Sequence, residues 1–152
     1  MNDEIRAQIS ENIRRFGQHL VNVYADANSS TGFEPFTYTI GNHGLGLPEL
    51  LFVGSADDWC CSMLNILGEA QRKRRQAYLH GEMVGYTAEF PALIVDAGQK
   101  GRDEYAVQVG VYYNTNEFDV CQVLLSDRNG RYPGDPKCLP PYSEQIVLSA
   151  TH

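Results

Sequence analysis

Phe36-Thr37-Tyr38-Thr39-Ile40-Gly41-Asn42-His43, followed after Gly44-Leu45-Gly46 by Leu47-Pro48-Glu49-Leu50-Leu51-Phe52-Val53-Gly54, is the stretch that decides the fold. Two strand-like apolar runs flank a loop carrying glycines, an imidazole and a carboxylate. The continuous Leu-Leu-Phe-Val run predicts a strand buried on both faces. A loop at the end of such strands is where a rigid scaffold presents polar groups to a ligand. Gly41 and Gly44 are expected to take positive φ angles in a tight turn.

Upstream, Ile5, Ile9, Ile13 and Phe16 recur at helical spacing, with Asn2 or Asp3 as cap and Gly17 as the stop. A strand follows over 19–24, then a polar loop over 26–32. Downstream, Asp57 or Asp58 opens the strongest helix, with Trp59, Met63, Leu64 and Leu67 on one stripe. It ends in Arg72-Lys73-Arg74-Arg75, read as a solvated terminus in which cations oppose the macrodipole. Strands are predicted at 82–86, 90–96 and 118–126. Residues 103–113 fit helix and strand patterns equally; Asp103, Glu104 and Asn114 favour a helix. Asn129-Gly130 marks a tight hairpin, the proline-rich 133–142 an extended strap, and 145–148 a short edge strand. The whole order predicts one α+β domain over 1–152: a mostly antiparallel mixed sheet with two or three packed helices.

A chain of 152 residues with 43% hydrophobic and 20% charged residues has the composition of one globular domain. A net charge of −7 argues against a general nucleic-acid or anionic-membrane surface. No apolar run reaches the roughly 18 residues a spanning helix needs, and the polar start, Met1-Asn2-Asp3-Glu4, is unlike a secretory signal. The bacterial cytoplasm is the expected compartment. The four cysteines fit it: no spacing matches a zinc ribbon or a CxxC pair, so Cys60 and Cys121 read as buried thiols. Cys138, in the proline-rich loop, is the candidate for exposure.

Four segments carry a resemblance over about 13–148. They are Arg15-Phe16-Gly17-Gln18-His19-Leu20-Val21-Asn22-Val23, Phe36 to Gly41, Pro48-Glu49-Leu50, and Gln122 to Pro133, which contains Ser126-Asp127-Arg128-Asn129-Gly130-Arg131. Together they resemble the bacterial family known only as domain of unknown function 4262. Gln18 and Gly134 stand where that family usually has tryptophan, and Leu47 where it often has histidine. The resemblance implies no activity, cofactor or partner.

Chemistry must therefore be sought residue by residue. His43, Glu49, His80 and Glu82 offer ligand types for a metal, but no HxH or HxxxH spacing forces them together, so no metal site is expected. His43 oriented by Glu49 would make a general base, although turn polarity accounts for the same residues. Glycines 41, 44 and 46 match no phosphate-binding motif. Asp127 is placed to fix the hairpin turn, and Arg131 to bind a carboxylate or phosphate. Tyr38, Tyr112, Tyr113 and Tyr132 suit a pocket wall or a partner surface.

Two readings follow. One is a binding or accessory domain, perceiving a protein partner through an aromatic patch with scattered histidines. The other is a pocket enzyme or small-molecule binder at the 36–49 loop, built from Tyr38, Thr39, His43, Glu49 and His80. Its flavin-linked form rests on an element order similar to split-barrel flavin reductases, an analogy of fold alone; a phosphate ligand is its other form.

Overall fold

The two runs around the 41–48 loop are neighbouring antiparallel strands, and every residue in both is buried. The computed structural model describes residues 1–24 and 34–151; the polar loop read at 26–32 lies outside the described residues. Among these, the strands are β1 (His19–Val23), β2 (Phe36–Ile40), β3 (Glu49–Val53), β4 (Met83–Val84), β5 (Ala92–Asp96) and β6 (Val120–Leu124). The helices are α1 (Asp3–Phe16), α2 (Asp58–Arg74), the single turn α3 (Gly98–Lys100) and α4 (Val107–Tyr113). They make one α+β domain around a mixed, mostly antiparallel sheet of order β1-β2-β3-β6-β5-β4, in which only β3 and β6 run parallel.

Because strand side chains alternate between faces, the sheet has two cores. Phe36, Tyr38, Ile40, Leu51, Val53 and Val120 pack under Ile9 of α1 and Val109 of α4. Leu50, Phe52, Ile94, Cys121 and Val123 pack under Cys60, Met63, Leu64 and Leu67 of α2. Each large apolar side chain so buried contributes roughly 1.5–3 kcal/mol. The ends of both major helices follow capping chemistry. Asn2 Oδ1 accepts from Ile5 N at 2.8 Å, and Asp57 accepts from Cys60 N at 2.9 Å. Gly17, at φ 88°, closes α1.

Several expectations need correction. Only the middle of the α1 stripe reaches the core: α1 lies over the edge strand, leaving Ile5 and Phe16 exposed. Trp59 is also exposed, because the first turn of α2 turns Cys60 toward the core instead; the Trp59 ring meets Tyr86 edge-on at 6.2 Å. The strand read at 82–86 shrinks to two residues, between Glu82, engaged by Arg74, and the helix-free Gly85. The strands at 90–96 and 118–126 are five residues each, 92–96 and 120–124. Residues 103–113 are helical as favoured, but a π-helical turn at Gly101–Tyr105 breaks at Ala106 before α4.

The edge strand expected at 145–148 is not one. Its pairing to β6 is made by glutamine side chains: Gln145 exchanges hydrogen bonds with Leu125 N (2.9 Å) and Leu125 O (2.7 Å). Gln122 does the same for Ile146 O and Leu148 N. Asn129-Gly130 turns the chain without a second strand following, and Cys138 is buried rather than exposed. No helix among the described residues is long and apolar enough to cross a membrane.

Candidate functional site

Glu49 begins β3 and is wholly buried, so its charge must be met by protein groups. Five donors surround it. Oε1 accepts from the Thr39 hydroxyl (2.8 Å), Asn42 N (3.1 Å) and Asn42 Nδ2 (3.1 Å). Oε2 accepts from Gly41 N (3.0 Å) and His43 N (2.9 Å). Three successive backbone N–H groups thus fold around one carboxylate, an anion-holding nest. Gly41 permits it: at φ 134°, a side chain there would run into Gly17 O and the Gln18 backbone at 3.0 and 3.1 Å. Burial pushes the Glu49 pKa up, and the His43, Thr39, Gly41 and Asn42 donors pull it back.

The cluster continues through Asn42. Its Nδ2 also donates to Gln18 Oε1 at 3.0 Å, and its Oδ1 accepts from Arg72 Nη1 at 3.1 Å. Arg72 Nη1 reaches Gln18 Oε1 at 2.6 Å, and Nη2 reaches Phe16 O at 3.3 Å. Asn42 is therefore an amide bridge between a buried carboxylate and a half-buried guanidinium. Beside them, Gln71 holds the loop from below by donating to Pro48 O at 3.1 Å. Burial draws the Arg72 pKa down while the charges of Glu69 and Glu49 oppose it; a guanidinium so shifted remains charged at neutral pH.

Gln18 and Arg72 form the back wall of a cleft of about 530 Å³, completed by Asn12, Phe16, His19, Leu20, Asn65 and Glu69. It sits at the corner where α1, β1 and α2 meet. His19 and Leu20 are consecutive strand residues facing opposite sides of the sheet, so a cavity touching both lies at the edge of β1 and not over one face. Gly17 is needed here a second time, since a Cβ would stand 2.6 Å from Arg72 Nε.

The residues singled out in the sequence fall in separate places. Thr39 and Glu49 meet as described, but His43 contributes its backbone N–H to Glu49. Its ring instead packs edge-on against Tyr113 (4.8 Å between centroids) and Phe118 (6.3 Å). There it lines a second cavity of about 390 Å³ with Arg102 and Asp119. Tyr38 is in the core, its hydroxyl accepting from Gln108 N at 3.2 Å. His80 is exposed and accepts from Asp96 N through Nδ1. Glu82 pairs with Arg74 at 2.6 Å.

Asp127 clamps its turn by accepting from Asn129 N, Arg131 N and Leu139 N. Arg131 enters that turn through its backbone. The positive φ expected of Gly44 belongs to Gly46 instead. Among the described residues no three His, Cys, Asp or Glu side chains gather as metal ligands. Gln18, Asn42, Gln71 and Arg72 carry the cluster and were not singled out for it. Two glutamines, an asparagine and one member of a basic run are ordinary surface residues by pattern. Only the three-dimensional convergence distinguishes them.

Fold and site together define a small α+β domain with a carboxylate-centred polar cluster backing a cleft at the sheet edge. The chain belongs to the family described as Domain of unknown function (DUF4262), whose model matches residues 12–139. No curated protein and no solved structure matches it. Three of the four segments that carried the resemblance meet in this one cluster: Gly17-Gln18, Thr39 to Gly41, and Pro48-Glu49.

Proposed function

We propose that this is a binding or accessory domain that recognises another molecule at the cleft between α1, β1 and α2. The observation that carries the reading is the construction of the cleft wall. Gln18 and Arg72 are held rigid from behind by Asn42 and Glu49, while Phe16, 61% exposed, stands at the mouth. Pre-organised polar groups beside exposed apolar surface are the ingredients of recognition. The free thiols, Cys60, Cys61, Cys121 and Cys138, support placing it in a reducing compartment, the bacterial cytoplasm.

Photocrosslinking tests this. A benzophenone amino acid at Phe16 in the native host should yield a discrete adduct, and the same group at exposed Gln99 should not. Equal labelling at both positions, or none at Phe16, would sink the reading. A second reading, a small-molecule site at the 36–49 loop for a flavin- or phosphate-bearing ligand, is favoured by one observation: the His43 ring, Arg102 and Asp119 line one cavity. It expects His43→Ala to abolish ligand retention in native mass spectrometry while the Phe16 adduct is unchanged.

A further inference from the structure

Hydrogen bonds orient the amides, the imidazole and the guanidinium of the cleft. Gln18 Oε1 accepts from Asn42 and Arg72, so its Nε2 faces α2, donating to Leu64 O (3.1 Å) and Asn65 Oδ1 (3.2 Å). With Oδ1 so engaged, Asn65 presents its Nδ2 donors, which find no acceptor among the described residues. Asn12 is oriented in the same manner: Gln8 Nε2 donates to Asn12 Oδ1 at 3.1 Å, leaving Asn12 Nδ2 to donate to His19 Nδ1 at 2.9 Å. An acceptor at Nδ1 puts the proton of the neutral ring on Nε2. Burial lowers the His19 pKa, which favours that neutral form.

Arg72 uses both Nη1 hydrogens on Gln18 and Asn42 and one Nη2 hydrogen on Phe16 O. Its Nε–H and second Nη2–H have no acceptor, and it has no ion-pair partner within 4.0 Å, among the described residues. Three side chains lining one cavity thus present surplus donors. Two carboxylates oppose an anion there. Glu49 lies behind Asn42 with its own five donors, and Glu69, at the rim, is engaged by Lys73 at 3.0 Å.

Resting on the reading of this cleft as the binding site, we infer that it takes an anion. A carboxylate or phosphoryl group is held by Arg72, His19 Nε2–H and the Asn65 amide, with the apolar remainder of the ligand against Phe16 and Leu20. Charge-assisted hydrogen bonds from a planar, pre-positioned guanidinium suit both groups.

The test is ¹⁵N NMR of the full chain at fixed ionic strength, titrated separately with inorganic phosphate, acetate, benzoate and neutral benzamide. The Arg72 Nε–H and Asn65 Nδ2 signals should shift saturably, with a dissociation constant on the order of millimolar, for the anions and not for benzamide. Benzoate should bind tighter than acetate, and the phosphate-to-acetate ratio separates a phosphoryl from a carboxylate ligand. Arg72→Gln should abolish saturation. Because that change also disturbs Gln18 and Asn42, Asn65→Asp on the exposed face of α2 is the second variant, and should weaken binding about tenfold by like-charge repulsion. Shifts that stay linear, or equal saturation in Asn65→Asp and wild type, overturn the anion. A Phe16 adduct with no anion response leaves the binding reading standing and removes only this ligand class.

Discussion

Glu49 and Asp127 do the same job at opposite ends of the molecule, each closing a turn by accepting from three backbone N–H groups. They differ in what lies beyond the turn. Asp127's donors all come from its own segment, Asn129 to Leu139, so the arrangement is self-contained. Glu49's donors lead outward through Asn42 to Gln18, in the link between α1 and β1, and to Arg72 on α2. A local clamp fixes a loop. A networked one fixes the loop together with two other elements, and here it borders a cleft with charge to offer.

Their titrations differ in sign as well. Burial pushes Glu49 up. Burial also pushes Asp127 up, but the Arg131, Leu139 and Asn129 N–H groups and the Arg131 charge outweigh it and hold the carboxyl down.

The contrast breaks if Glu49→Gln proves mild. Both Glu49 oxygens face N–H donors, so an amide NH₂ strands at least two of them. The expected loss is about 3 kcal/mol, read by urea denaturation. A loss no larger than that of Asp127→Asn would mean that the network adds nothing. Asn42→Ala comes next, at roughly 2 kcal/mol, with amide exchange rising at 41–43 and in the last turn of α2 together. Asp127→Asn should lower the midpoint least of the three, with faster exchange confined to 127–139.

The pH profiles sharpen the comparison. Glu49's pKa is raised on folding, so its favourable term is present at acid pH and is lost as pH rises through that raised value. The stability gap between wild type and Glu49→Gln should narrow with rising pH above about 4.5. Asp127's pKa is depressed, so the gap to Asp127→Asn should narrow as pH falls below about 3.8. Parallel profiles would show that the two carboxylates are equivalent after all.

Much of the scaffold was legible because periodicity is local. β2, β3, α1 and α2 announce themselves within a dozen residues, as does Asp127, whose partners reach no further than Leu139; 103–113 fits helix and strand patterns equally, and only Asp103, Glu104 and Asn114 favour the helix it forms. The cluster was not legible, because Gln18, Asn42, Glu49 and Arg72 are brought together by folding from positions up to 54 residues apart. Thr39, Asn42 and Glu49 look like ordinary turn polarity in isolation. Gln18, standing where the family usually carries an aromatic ring, reads as a pocket altered, yet its amide makes four hydrogen bonds with α2 and Asn42 that no indole could reproduce. Pairing by Gln145 was hidden for a different reason: side chains doing the work of a backbone ladder leave no strand pattern to find.

The lone parallel pairing, β3 beside β6, also sets the order in which the chain can be assembled. Glu49 meets Val120 across about seventy residues of intervening chain, whereas β1, β2 and α2 are close neighbours in sequence. During synthesis the first three strands therefore wait with one flank of Leu50, Leu51 and Phe52 open until β6 emerges, and a strand edge so apolar is prone to pair with the wrong chain. A chain truncated between residues 100 and 120, and so lacking β6, should therefore aggregate more readily than the whole chain, which makes the last third of the protein a guard against misassembly.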